Sequence, residues 1–262
     1  MTANGHIPRK RFGQHFLHDS TVLQRISDAI NPQADDAMVE IGPGLGALTD
    51  YLLPRLNQLH VVELDRDLAD RLEQRPEYPE HLVVHRADAM KFDYCTLAAS
   101  GQSLRIVGNL PYNISTPLIF HLLSQSNCIA DMVFMLQKEV VDRLTAVPGN
   151  KDYGRLSVMV QAQCSAFRLF VVKPGAFNPP PKVDSAIVRL IPDKKRMSDI
   201  KSMPIMQKVV QQAFSQRRKT LRNTLKGLIS VQQLEKLGID PQKRPETLTV
   251  EQYIALSNLC ST

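Results

Sequence analysis

The chain has 262 residues, of which 43% are hydrophobic and 22% charged, values that are ordinary for a folded globular protein and exclude wholesale disorder. Its net formal charge is +6, and its 12 Gly and 17 Pro are too few for a collagen-like chain. Residues 1–13 are polar and basic, and the sequence lacks an apolar run of about 18 residues. We therefore expect a cytoplasmic protein without a secretory signal or a membrane association.

Predicted helices and strands alternate through the first half of the chain. Apolar periodicity predicts, in order, helix 19–30, strand 38–41, helix 45–56, strand 60–64, helix 67–75, strand 82–84, strand 104–107, helix 115–123, strand 132–136 and helix 138–145. This alternation predicts an α/β fold with a mainly parallel sheet covered on both faces. Two later extended runs, around Phe170 and around Val188, are predicted to complete the sheet as a hairpin.

A smaller helical domain is predicted after the sheet. Residues 192–203 are charged and bounded by proline, a composition typical of a linker. Segments with helical periodicity follow at 205–214, 219–228, 231–237 and 250–259. We therefore divide the chain into an α/β domain over residues 1–193 and a small all-helical domain over residues 194–262.

The cysteines give no sign of a metal centre. All four are far apart in sequence and form no C-x-x-C pair, so neither a zinc ribbon nor a thioredoxin-type site is expected. We expect no bound metal and a reducing cytoplasmic setting. The sequence also shows no long heptad pattern, which favours a monomer.

The positive charge is concentrated late in the chain. Residues 1–193 hold 19 Lys and Arg against 21 Asp and Glu, whereas residues 194–226, here called the basic belt, hold ten against a single Asp. Such a belt indicates a polyanionic partner. The alternative is a solvated helical face.

A glycine-rich turn follows the first strand of the predicted sheet. Gly42, Gly44 and Gly46 would let the backbone approach a ligand at the carboxyl end of that strand. Glu63 ends the next strand, 21 residues after Gly42, a spacing at which a carboxylate can accept hydrogen bonds from a ribose. The spacing E-x-G-x-G-x-G is one residue too short for the dinucleotide fingerprint. It suits a ligand with a ribose but no pyrophosphate, such as S-adenosyl-L-methionine (AdoMet), better than NAD.

Asp88 follows the third strand of the predicted sheet, so it would lie on the same edge as the glycine-rich turn. A carboxylate there can accept a hydrogen bond from the exocyclic amine of an adenine. The alternative is an Asp that caps the next turn.

The Asn-Leu-Pro-Tyr loop at residues 109–112 follows the fourth strand and carries the most specific signal. The exocyclic amine of adenine is a poor nucleophile because its lone pair is delocalised into the ring. The Asn109 side-chain oxygen and the Leu110 carbonyl can each accept one N6 hydrogen, which turns the lone pair toward an incoming methyl group. Pro111 would fix the carbonyl, and Tyr112 offers a ring on which the base can stack. The alternative is an ordinary turn with an aromatic residue.

Five strings carry a family resemblance. They are KRFGQHFL at 10–17, VEIGPGLG at 39–46, VGNLPYNIS at 107–115, FNPPPKVDS at 177–185 and QRRKT at 216–220. Together they closely resemble the bacterial ribosomal RNA adenine N6,N6-dimethyltransferases over nearly the whole chain. The resemblance implies a Rossmann-like, AdoMet-dependent catalytic domain with a seven-stranded sheet, followed by a helical RNA-binding domain. It also implies dimethylation of two adjacent adenosines in the hairpin loop near the 3′ end of 16S rRNA, on immature 30S subunits late in assembly.

The same resemblance assigns roles to individual residues. For AdoMet, it implies contacts from His15 and Leu17 and a place for the methionine part over Gly42 and Gly44. Glu63 would accept hydrogen bonds from the ribose and Asp88 from the adenine amine, and Asn109 would contact the reacting end. For the target adenine, it implies a stack between Tyr112 and Phe177. The resemblance also gives the basic belt a candidate partner, and we expect Arg217, Arg218, Lys219 and Arg222 of the belt to contact RNA phosphates. Many bacterial members have Asn at the position of His15, and an imidazole can also donate or accept a hydrogen bond.

Two alternatives are kept beside this interpretation. One is an adenine N6-methyltransferase that acts on large-subunit rRNA or on DNA, with much the same catalytic logic. The other is a non-catalytic RNA-binding assembly factor on the same fold. The glycine-rich turn, Glu63 and Asn109 are all present, which argues against an inactive site.

Overall fold

The structure of the chain, a computed structural model, describes residues 15–75, 80–99, 101–216 and 218–261. Within these ranges the main sheet has seven strands: β2 (Met38–Ile41), β3 (Leu59–Glu63), β4 (Leu82–Arg86), β5 (Leu104–Asn109), β6 (Ile129–Gln137), β7 (Cys164–Val172) and β9 (Ser185–Pro192). A second, two-stranded sheet pairs β1 (Phe16–Leu17) with β8 (Phe177–Asn178). Both sheets bear on the site described below.

The strand order of the main sheet is β4-β3-β2-β5-β6-β9-β7. The five strands from β4 to β6 are parallel to their neighbours, and β9 joins β6 in antiparallel register. The predicted mainly parallel sheet is therefore confirmed, and the two late extended runs form its final strands. β2 lies between β3 and β5, so the chain winds first toward one edge and then toward the other. In such sheets, ligands bind at this switch point, beyond the carboxyl ends of the strands.

The helices have the following bounds: α1 (Ser20–Ile30), α2 (Thr49–Leu52), α3 (Arg66–Glu73), α4 (Ser115–Leu123), α5 (Lys138–Leu144), α6 (Arg155–Gln161), α7 (Lys194–Ser198), α8 (Met203–Ala213), α9 (Leu221–Thr224), α10 (Val231–Lys236) and α11 (Val250–Leu259). Among the described residues, no helix combines the length and the apolar character needed to cross a bilayer. α1 shows how closely local sequence sets these bounds. Asp19 caps its first turn by accepting from the Val22 backbone N–H at 3.0 Å, and Asn31 ends it in the left-handed conformation.

The predicted helix over residues 45–56 is wrong in extent. Gly44 and Gly46 adopt positive φ, and the Gly46 backbone N–H bonds back to the Pro43 carbonyl at 2.9 Å, so this part of the chain is a turn. The α-helix is confined to α2, and a 3₁₀ segment, Leu53–Arg55, follows it. Pro54 lacks the N–H that a continuing α-helix needs.

Two predictions in the second half of the chain are also corrected. The segment predicted as a linker, 192–203, contains α7, because the Asp193 side chain caps it by accepting from the Arg196 N–H at 2.8 Å. The helix predicted over 219–228 shrinks to α9, and the chain turns at Gly227, which has a φ of +83°.

The chain divides into two compact units, one of residues 1–141 and 167–192 and the other of residues 142–166 and 193–262. The first contains the switch point of the sheet. The second contains the C-terminal helices and also α6, which lies in a segment that the predicted boundary at residue 193 assigned to the α/β domain. One change of unit, between residues 192 and 193, lies one residue before that boundary.

Candidate active site

A cavity of about 330 Å³ lies in the first unit, beyond the carboxyl ends of β2 to β5. Gly42, Glu63, Asp88 and Asn109 all line it. These four positions come from four different strand ends, and the parallel register brings those ends to one edge. The sequence prediction that these residues share one site is therefore matched by their positions.

The glycine-rich turn and Glu63 form one hydrogen-bonded unit. The Gly44 backbone N–H donates to Glu63 Oε2 at 3.2 Å, and the Asp65 N–H donates to Oε1 at 2.9 Å. Gly44 has a φ of +60°, and a Cβ there would come within 3.2 Å of the Phe16 ring. Each Glu63 oxygen keeps a further lone pair for a ligand hydroxyl. Burial raises the pKa of Glu63, although the two backbone hydrogen bonds oppose this shift.

Glu40 is a cavity residue that the sequence reasoning missed. Its side chain is 2% exposed in the middle of β2, and Oε2 accepts from Thr49 Oγ1 at 2.7 Å. Desolvation by burial raises its pKa from 4.5 to about 8, with smaller contributions from nearby acidic groups. The signal was present, because Glu40 is the acidic residue that begins the E-x-G-x-G-x-G string.

Asp88 lines the cavity and also caps the turn after β4. Its Oδ1 accepts from the Met90 backbone N–H at 3.0 Å. Asp88 therefore does cap the turn, as the alternative interpretation predicted. The same hydrogen bond holds its carboxylate at the edge where an adenine amine would need an acceptor.

The Asn-Leu-Pro-Tyr loop borders the same cavity. The Asn109 side-chain nitrogen donates to the His15 backbone carbonyl at 3.2 Å. The Leu110 side chain is buried, and its backbone N–H donates to the Met135 carbonyl at 3.2 Å. The Tyr112 hydroxyl lies 2.7 Å from the Ser185 hydroxyl, and burial raises the pKa of Tyr112. Both ends of the loop are thus held by neighbouring strands.

The segment that begins at His15 closes one side of the cavity. In β1, Phe16 is registered with Asn178 and Leu17 with Phe177 of β8. His15 and Leu17 both line the cavity, as the family resemblance implies. The His15 ring stacks on Tyr112, with centroids 5.8 Å apart and an interplanar angle of 28°.

Phe177 is the predicted site residue that the structure does not bring to the cavity. Its side chain is 3% exposed and belongs to the hydrophobic core, and it is absent from the residues that line the cavity. Pairing of β8 with Leu17 turns it inward. A stack of a base between Tyr112 and Phe177 would first require Phe177 to leave the core.

No group of three or more His, Cys, Asp or Glu side chains that could hold a metal occurs within residues 15–75, 80–99, 101–216 and 218–261. Cys95 and Cys128 are disulfide-bonded, with Cα atoms 5.5 Å apart. Their spacing gave no indication of this bond, and it disagrees with the reducing setting expected from the cysteine pattern.

The basic belt is only partly available to a partner. Arg218, Lys219 and Arg222 are exposed, and Arg217 lies outside the described residues. Arg196, by contrast, donates to the Gln161 carbonyl at 2.6 Å and pairs with the carboxylates of Asp193 and Glu251. Its role is to join elements of the second unit.

Comparison with known proteins gives a consistent result along the whole chain. Residues 5–262 match the family model "Ribosomal RNA adenine dimethylase". A "Ribosomal RNA small subunit methyltransferase A" from Nitrosococcus oceani is 59% identical over 257 residues, which cover 98% of this chain and 97% of that protein. The Escherichia coli O1:K1 protein of the same name is 54% identical over 255 residues, which cover 97% and 93%.

Two solved structures are similar to the fold. A dimethyladenosine transferase from Plasmodium falciparum has a TM-score of 0.80 and 28% identity, with coverage of 92% of this chain and 96% of that one. The 23S rRNA methyltransferase ErmE has a TM-score of 0.72 and 24% identity, with coverage of 94% and 100%, and it supports the fold alone.

Proposed function

The chain belongs to the ribosomal RNA adenine dimethylase family, and we propose that it transfers methyl groups from AdoMet to the N6 atoms of two adjacent adenosines in the 3′-terminal hairpin loop of 16S rRNA. Its substrate in this proposal is the immature 30S subunit, late in assembly. The enzyme acts as a monomer in the cytoplasm and needs no metal.

One observation carries the proposal. Asn109 and Tyr112, the residues suited to an adenine amine and its ring, line the same cavity as the glycine-rich turn and Glu63, the residues suited to a nucleoside cofactor. A methyl donor and a base held there would have their reacting atoms close together, which supplies the positioning that this chemistry needs.

The residues of the cavity fit AdoMet. Glu63 has acceptor capacity left for a ribose, and the absence of a side chain at Gly44 leaves room between the turn and Phe16. Asp88 would accept from the adenine amine, and His15 and Leu17 would close the side of the cavity. Bound AdoMet carries its methyl group on a sulfonium. Because the thioether that remains after transfer is a good leaving group, the reaction requires no strong general base.

Asn109 and Leu110 activate the amine in this proposal. The Asn109 side-chain oxygen and the Leu110 backbone carbonyl accept the two N6 hydrogens, which favours tetrahedral geometry and directs the lone pair toward the methyl group. The Asn109 nitrogen donates to the His15 carbonyl, which orients the amide, and the side-chain oxygen is the acceptor that it offers to the amine.

Tyr112 is the stacking platform for the adenine, a contact worth about 1–3 kcal/mol per base. Its hydroxyl is held by Ser185 at the start of β9, which keeps the ring in one orientation. RNA phosphates are held by Arg217, Arg218, Lys219 and Arg222 of the basic belt. Recognition of a base splayed out of a hairpin loop is the usual mode of sequence-specific RNA binding.

The test is mass spectrometry of nucleic-acid fragments after 30S particles, 50S particles and DNA are each incubated separately with enzyme and AdoMet. We expect N6,N6-dimethyladenosine at two neighbouring positions of the 3′-terminal hairpin, on 30S particles only. Methylation of 50S particles or of DNA would favour the alternative methyltransferases. Binding to 30S particles without methylation of any of the three substrates would favour a non-catalytic assembly factor.

A further inference from the structure

The Tyr112 ring, on which a target base could stack, already has the His15 ring stacked against it. The two rings stack with centroids 5.8 Å apart and an interplanar angle of 28°. This geometry lies within the range of favourable aromatic pairs. Both residues line the cavity, so the contact stands inside the site rather than beside it.

The two partners of this stack are held with unequal strength. Tyr112 is fixed by its hydroxyl contact with the buried Ser185 at 2.7 Å. Among the residues that the structure describes, the His15 ring makes one hydrogen bond, which joins Nδ1 to the carbonyl of the exposed Pro179 at 2.8 Å. An exposed hydrogen bond is exchanged for one to water at little cost. If one ring moves aside, it is therefore the imidazole.

The His15 backbone is held separately from its side chain. Its carbonyl accepts from Asn109 at 3.2 Å, and the next residue, Phe16, is registered with Asn178 in the two-stranded sheet. Rotation about the side-chain bonds can therefore uncover Tyr112 while the carbonyl continues to orient Asn109.

We propose that the His15 imidazole stands in for the target adenine on the Tyr112 ring and is displaced by it, which makes His15 a residue that determines base specificity. The inference rests on the proposed function, since it assumes that Tyr112 receives the base. A base gains access only if it stacks better than the imidazole does. The fused rings of adenine satisfy this condition, whereas the single ring of a pyrimidine offers little advantage.

The displacement has a direct spectroscopic test. The His15 ring-proton signals of labelled protein, identified by their absence in His15→Asn, are followed by NMR with the cofactor site saturated by S-adenosylhomocysteine. We expect the Tyr112 ring current to shift these signals upfield relative to their positions in Tyr112→Leu. Adenosine 5′-monophosphate should move them toward those positions, and cytidine 5′-monophosphate should not. Signals that are equal in the wild type and Tyr112→Leu, or that do not respond to the adenine nucleotide, would overturn the proposal.

Binding of the adenine nucleotide gives a second readout. His15→Ala should lower the Kd of the adenine nucleotide by about 2- to 10-fold, because the imidazole no longer competes with the base for the Tyr112 ring. In the Tyr112→Leu background the same substitution should have no effect. Weaker binding by His15→Ala would show that the ring assists the base, contrary to the proposal. Neither readout uses methyl transfer. Failure of the rRNA methylation assay would therefore reject the proposed function, whereas failure of these two readouts would reject the displacement of His15.

Discussion

The side-chain nitrogen of Asn109 donates to the backbone carbonyl of His15 at 3.2 Å, across 94 residues of sequence. This bond fixes the orientation of the amide and leaves its side-chain oxygen as an acceptor. In the proposed mechanism that oxygen accepts an N6 hydrogen, so the main chain of the segment before α1 would help to orient it.

Asn109→Ala should lower kcat for 16S rRNA methylation by about 10²- to 10³-fold, the usual effect of removing one positioned group that stabilises a transition state. Asn109→Asp retains acceptors for the amine but cannot donate to the His15 carbonyl, so it should also be strongly impaired. Single-turnover methylation of 30S particles measures both effects.

The control for these variants is Asn150→Ala, an exposed asparagine in a turn of the second unit. AdoMet affinity, measured by calorimetry, should change little in any of the three proteins. Full activity of Asn109→Asp would show that the bond to His15 is unimportant, and full activity of Asn109→Ala would remove Asn109 from the mechanism.

Much of the site was predictable because parallel strands place their carboxyl ends together. Glu63, Asp88 and Asn109 were each predicted at or just after the end of a strand, and all three line the cavity. The same logic overlooked Glu40, since it sits within a strand where an apolar residue is expected, and only the three-dimensional structure shows its complete burial.

Contacts made by the small β1–β8 sheet were beyond prediction. Each strand has only two residues, too few for a periodic signal, yet their pairing sets both the stack of His15 on Tyr112 and the burial of Phe177. The disulfide between Cys95 and Cys128 was missed for a similar reason, because sequence separation says nothing about a Cα distance.

Glu40→Gln should make stability less dependent on pH. The pKa of Glu40 is about 8 in the folded protein and 4.5 in the unfolded chain, so wild-type stability is fullest below the lower value and is lost as pH rises toward the higher one. The loss corresponds to up to about 5 kcal/mol. Urea unfolding without AdoMet should find Glu40→Gln close to wild type near about pH 5 and more stable than wild type near about pH 8.5.

The matched control is Glu139→Gln, since Glu139 is exposed on α5. It should follow the wild-type pH profile. An equal slope for Glu40→Gln and the wild type would mean that Glu40 is already ionised in the folded protein.

The histidine pair on β3 and β4 should make stability depend on pH in the opposite direction from Glu40. His60 Nδ1 and His85 Nε2 lie 3.0 Å apart. Burial lowers the pKa of both side chains, and His85 lowers that of His60 further. The folded state therefore binds fewer protons than the unfolded chain, and stability falls as pH drops below about 6.5. A His60→Gln, His85→Gln double variant should lose less stability than wild type between about pH 7 and 5.

The control for the histidine pair is His81→Gln, at an exposed histidine whose Nδ1 lies 2.7 Å from the Asn57 carbonyl. Urea unfolding at the same pH values should give a wild-type slope for this variant. A double variant that is as acid-sensitive as the wild type would assign the sensitivity to other groups.

The Cys95–Cys128 disulfide closes a loop with a sequence separation of 33 residues. Its removal should lower the free energy of unfolding by about 2–4 kcal/mol through the greater entropy of the unfolded chain. Denatured protein should show two thiols before reduction, from Cys164 and Cys260, and four afterwards. Cys260→Ser is the control and should retain the bond. Four thiols without reductant would show that the pair is not joined.

If the basic belt binds RNA phosphates, the affinity for 30S particles should depend on salt concentration through its charges. Replacing Arg218, Lys219 and Arg222 with Gln should weaken binding to 30S particles and flatten the log-log dependence of affinity on salt, by roughly 0.7 per lost single-strand phosphate contact. The chain offers a matched control in the exposed Lys236, Lys243 and Arg244, which lie outside the belt and carry the same total charge. Their replacement should leave the slope near the wild-type value. Equal slopes for the two triple variants would mean that the belt is a solvated surface, because only charges that displace counterions from RNA change this slope.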